Sequence, residues 1–176
     1  QNPEILGTLA AIGIKKGQEF APDARMKKTL TEAADVGAVA VRTIISKPRN
    51  EGFYLYPGKS TVWTNPFEAT KGNHEFLVDN ALQLDARAGF HFYATGITPA
   101  MTFKIIGKGS KYAIAYTDAE GNFLDGSKTY KVHVPPNPPA KDFWSFTLYD
   151  NQTRSMLQTD ERFPGIDNNK PGMIQN

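Results

Sequence analysis

The chain has 176 residues, 40% of them hydrophobic and 22% charged, with 20 basic residues against 18 acidic ones. That is the composition of an ordinary globular protein with room for one domain and a smaller module, and with no long Lys/Arg run it does not favour a nucleic-acid groove. The absence of cysteine excludes disulfides, thiolate metal sites and a cysteine nucleophile, and no apolar run approaches the ~20 residues of a membrane span.

The first predicted element lies in "NPEILGTLAAIGIKKG", where Pro3 suits the first helical position after Asn2 as cap, Glu4 falls in the first turn and Gly13 or Gly17 is the stop. A second, longer helix begins at Asp23 as cap. It carries an apolar stripe of Met26, Leu30, Ala33, Gly37, Val41 and Ile44, and Pro48 forces an end near Lys47. Its small-residue run "VGAVAV" allows close approach of a neighbour, so the two helices are expected to form a hairpin that fills a module at 1–50.

From Phe53 the pattern changes. "FYLYPGKSTVWT" alternates around Pro57-Gly58, which suggests a hairpin between Phe53 to Tyr56 and Thr61 to Thr64. The stretch from Asn73 to Ile97 has no proline and is too long for a strand, so the reading is one helix near 74–96, capped by Asn73 and closed by Gly96. Its apolar stripe would be Leu77, Ala81, Leu84, Ala88 and Phe92. A strand would line up Asp85, Arg87, His91 and Tyr93 on one face, whereas a helix turns Asp85 and Arg87 in different directions.

After Pro99 the chain reads as β. "MTFKII", "KYAIAYTD", "FLDGS" and "KTYKVHV" are separated by the turns "GKGS" and "AEGN". The proline-rich connection "PPNPPAKD" then leads to "FWSFTLYD", apolar on both faces. Helices followed by antiparallel strands define an α+β fold, with a β-sandwich at 51–176.

The segments "IGIKKGQEFAPDARMKKTLTEAADVGAVAVR", "LDARAGFHFYATGITPAM", "DGSKTYKVHVPPNPPAKDFWSFTLYD" and "ERFPGIDNN" occur in an order that resembles the C-terminal part of a bacterial family of exported proteins pairing two domains of unknown function. The resemblance implies an immunoglobulin-like N-terminal domain that is absent here, a small helical module, and a jelly-roll-like sandwich opened by a helix. In that frame the chain is truncated at both ends and its sandwich is incomplete. An open sandwich edge is expected to be covered by other polypeptide, either the remainder of a longer precursor or a second copy. The implied compartment is periplasmic or secreted.

No motif here specifies a reaction. His91 or Tyr93 with Asp85 would be the acid/base pair of a hydrolase or lyase, and Arg87 would bind an anion. The structural alternative makes Arg87 a tie between helix and sheet, with Asp85 paired elsewhere. His74, His91 and His133 lack the short spacing of a helical metal pair, Ser145 lacks the flanking glycines of a nucleophile elbow, and neither a metal nor a cofactor is expected. The aromatic residues Tyr54, Tyr56, Trp63, Tyr93, Tyr112, Tyr116, Tyr130, Trp144 and Tyr149 suit either a sandwich core or a surface on which sugars stack. The expected function is therefore an exported protein binding a small or saccharide-like ligand, with Arg87, Trp144, Tyr149 and Tyr130 as ligand contacts. The alternative is the hydrolase or lyase.

Overall fold

A computed structural model describes residues 3–56, 61–68, 73–96, 98, 101, 105 and 107–170. The fold is α+β: three helices accompany small antiparallel two-stranded ladders, and no barrel closes among the described residues. The chain divides into two compact units, Gln1–Leu124 and Asp125–Asn176.

Helix α1 spans Pro3–Ala11, and Gly13 follows with φ +89°, donating to the carbonyl of Ala10 at 3.0 Å. A positive φ at that point costs a glycine nothing, which is why the helix stops there. Helix α2 spans Ala24–Ser46 and starts where expected, with Asp23 Oδ1 accepting from the Met26 amide at 2.7 Å. Along the expected stripe Met26, Leu30, Val41 and Ile44 are half-buried, while Ala33 and Gly37 are exposed. Only the last turns of α2 meet a core, through the buried Ile45.

A short 3-10 turn, Glu51–Phe53, is capped by Asn50 and buries Phe53 completely. The expected pairing of this segment with 61–64 is present as the Tyr54–Thr64 bridge, and Thr64 bridges on to Ile114; the Pro57-Gly58 turn lies outside the described residues. The helix expected over 74–96 is shorter. Strands β1 (Leu77–Val78) and β2 (Ala81–Leu82) pair antiparallel, and helix α3 occupies only Leu84–Ala94. Asp79 and Asn80 connect the strands with φ +50° and +62°, the two positive values that match a two-residue hairpin turn to strand twist. Asn73 therefore caps no helix; its side chain accepts from the Glu75 amide instead, and Thr95 in the left-handed region, rather than Gly96, ends α3.

The expected stripe is corrected with the helix. Leu84 and Ala88 are exposed, and the buried face of α3 is Ala86, Gly89 and Phe90. Phe90 joins Phe53 and Phe76 in the core, with Phe67 packed against them; the Phe67 and Phe90 ring centroids lie 3.9 Å apart. Where α2 crosses α3, a Cβ built on Gly89 would stand 2.8 Å from Ile45 Cγ2, so the crossing requires glycine.

In the second unit the half-buried strand expected over "KTYKVHV" does not form: residues 128–134 have no regular structure, and Tyr130 and Val132 are exposed. Strand β3, Ser145–Thr147, pairs antiparallel with β4, Gly165–Asp167, in the register Ser145↔Asp167, Phe146↔Ile166 and Thr147↔Gly165. The Tyr149–Met156 bridge prolongs the ladder. "FWSFTLYD" is apolar on both faces, yet Phe143, Leu148 and Tyr149 are exposed, and of its apolar residues Trp144 and Phe146 alone are half-buried. Most of the "MTFKII" segment lies outside the described residues.

Candidate functional site

The polar residues of α3 are placed by the short helix. Asp85 stands in its first turn, where a carboxylate suits the positive end of the dipole, and His91 stands in its last. Asp85 is taken by the segment that leaves α2. Arg49 donates from Nε to Oδ2 at 2.7 Å and from Nη2 to Oδ1 at 3.1 Å, a two-pronged pair that raises the Arg49 pKa through the hydrogen bond and then the charge of Asp85. Beside it Asn50 donates to Gln83 Oε1 at 3.3 Å. These contacts tie the chain after α2 to the start of α3.

Arg87 is half-buried and has no ion pair among the described residues. His91 is exposed, and its carbonyl accepts from the Thr95 amide at 2.9 Å. Tyr93 points into packed surroundings: its ring lies 6.3 Å from those of Phe92 and of Tyr116, and burial pushes its hydroxyl pKa well above the ordinary tyrosine value. A hydroxyl held protonated in this way is a poor general base. The Tyr116 hydroxyl is buried with no hydrogen-bond partner among the described residues, and the Arg42 guanidinium lies 5.4 Å over the Phe92 ring. Sequence reasoning gave Arg49 and Arg42 no part in the site; both face α3 from another element, a juxtaposition that helical spacing within α3 does not reveal.

The structure thus sends Asp85 to Arg49, leaves His91 in solvent and embeds Tyr93 among aromatic rings. Among the described residues, no group of three or more His, Asp or Glu side chains is arranged to hold a metal ion.

The aromatic candidates belong to the second unit. Trp144 meets Phe146 edge to face with centroids 5.7 Å apart, and its backbone exchanges hydrogen bonds with Asn168, whose Oδ1 accepts at 2.8 Å. Tyr149 is 61% exposed, and Phe143 and Phe163 are exposed to a similar degree. The Tyr130 hydroxyl accepts from the Asp125 amide at 2.8 Å. Asp125 in turn accepts from the Ser127 amide and hydroxyl, which holds its pKa below the usual carboxylate range. A surface depression lies along 161–170, bordered by Arg162, Phe163, Asp167 and Lys170.

No curated protein matches the chain. A family model described as a protein of unknown function (DUF1214) matches residues 109–176, a stretch that takes in the second unit and the approach to it.

Proposed function

We propose that the chain is a non-catalytic binding module of an exported protein, periplasmic or secreted, which takes a small or saccharide-like ligand on aromatic side chains of its second unit. The observation that carries this reading is the exposure of Tyr149, Phe143 and Phe163 on and beside the β3–β4 ladder, within the DUF1214 match. Flat apolar rings open to solvent stack on sugar faces, and Trp144 and Tyr130 of the same unit offer an indole N–H and a hydroxyl. Arg87, on α3 of the first unit, is by itself a candidate contact for an anion or for paired hydroxyls, to which its fork of donors is suited. The remaining exposed apolar surface is covered by further polypeptide, from a longer precursor or from a second copy.

The alternative hydrolase or lyase needs His91 or Tyr93 to act with Asp85, and no contact between them favours it. The test is a titration of the chain with neutral and uronic-acid disaccharides, followed by tryptophan fluorescence and by thermal shift. Saturable changes that disappear in Tyr149→Ala, with the disaccharide recovered intact, support the reading. No change with any sugar, or sugar cleavage that His91→Ala abolishes, contradicts it.

A further inference from the structure

Strand β4 and the residues on either side of it frame the depression along 161–170. Pro164 is buried, and the Gly165 amide donates back to the Phe163 carbonyl at 2.8 Å. A Cβ on Gly165 would stand 2.9 Å from the Phe146 carbonyl oxygen, so β4 lies as close to β3 as glycine permits. After β4 the Asp167 side chain accepts from the Asn169 amide at 2.8 Å, and its carbonyl accepts from the Lys170 amide at 3.2 Å. That turn brings Lys170 back to the depression that Arg162 and Phe163 also border.

We propose that this depression receives the charged end of the ligand, and that the ligand is an acidic sugar, a uronic acid, whose carboxylate is held by Arg162 and Lys170. The proposal rests on the aromatic binding surface proposed above and names its substrate class. The Arg162 guanidinium lies over the Phe163 ring with Cζ 5.5 Å from the centroid, and Phe163 nevertheless stays 64% exposed. A guanidinium placed over a ring keeps its fork of in-plane donors for a carboxylate. Neither Arg162 nor Lys170 has an ion pair among the described residues, although the side chains of Glu161 and Asp167 border the same depression.

The same geometry disfavours a cationic ligand. An aromatic ring takes a cation on its face, and here the guanidinium of Arg162 already lies over the ring. A neutral sugar would use the ring and leave both cations without a counter-charge, whereas a small free anion would use the cations and leave the ring bare. An acidic sugar engages both, with Glu161 and Asp167 as acceptors for its hydroxyl groups. All these groups lie within the second unit, so the carboxylate contact does not call on Arg87.

The experiment is isothermal titration calorimetry on the full chain with digalacturonic acid, its methyl ester and acetate. The acid is expected to bind about tenfold or more tightly than the ester at low ionic strength. That advantage is expected to vanish in high salt and in the double variant Arg162→Gln, Lys170→Gln, and to survive in Arg87→Gln. Phe163→Ala is expected to weaken acid and ester alike. Arg162 and Lys170 are exposed, so their exchange is expected to spare the fold, which far-UV circular dichroism checks. A sugar bound equally well as acid and as ester, or an acid preference that survives the double variant, overturns the proposal and leaves the aromatic surface standing. Acetate bound as tightly as the acid overturns it by showing a small-anion contact only. No binding of either sugar contradicts both the proposal and the reading beneath it.

Discussion

Residues 53–94 and residues 125–170 both contain several aromatic side chains and put them to opposite use. In the first stretch Phe53, Phe76 and Phe90 are buried against one another. In the second, Tyr149, Phe143 and Phe163 are exposed, and Pro164 is the one buried residue among those described. The difference lies in partners. The first stretch has a helix, a hairpin and a 3-10 turn that approach from separate directions, whereas the second has a single ladder with nothing over either face among its described residues. An aromatic residue is interior only where a second layer reaches it.

The largest effect that would break this contrast is in the phenylalanine core. Phe90→Ala removes the ring that meets Phe67 and Phe76, and is expected to cost about 3–5 kcal/mol in urea unfolding, whereas Phe163→Ala is expected to change stability by less than about 0.5 kcal/mol. Equal losses would put a hidden core in the second unit. Next comes the helix crossing. Gly89→Ala drives a methyl against Ile45 and is expected to destabilise by about 1–2 kcal/mol after its better helix propensity is subtracted. Ile45→Leu in the same chain should restore part of the loss, because leucine carries no second branch on Cβ where the clashing Cγ2 methyl of Ile45 stands.

A smaller effect concerns pH. Tyr93 has its folded pKa raised by burial above the ordinary value of about 10. Its contribution to stability is complete below that ordinary value and is lost as pH rises through the higher folded one. Urea midpoints are expected to fall above about pH 10 for this reason, and Tyr93→Phe should flatten the decline. The smallest expected effect is at α3's exposed face: His91→Ala should leave the unfolding midpoint nearly unchanged, since the side chain is in solvent. A drop of several degrees in Tm would show that His91 ties the helix down.

What was legible in the sequence was local. Asp23 announces α2 and Pro48 ends it because a cap and a ring clash act within one turn. The α+β class was also legible, from helical spacing before residue 50 and alternation after 100. The hairpin at 77–82 was missed because an apolar spacing compatible with helix ran through it. The signal was the dipeptide Asp79-Asn80, two residues that tolerate positive φ side by side. Alternation in "KTYKVHV" marked which side chains share a face but did not supply a strand to pair with, and residues 128–134 stay irregular. The sequence draws attention to Asp85, Arg87, His91 and Tyr93, but the partner of Asp85 lies 36 positions away and no spacing rule reaches it.

Each unit contains one of the chain's two tryptophans, Trp63 and Trp144, so the two regions can be followed separately in urea with Trp144→Phe and Trp63→Phe as single-tryptophan reporters. The Trp144 signal is expected to be lost at lower urea than the Trp63 signal, because only the first region buries its aromatic rings between elements that approach from separate directions. Two superimposable transitions would contradict that difference between the regions.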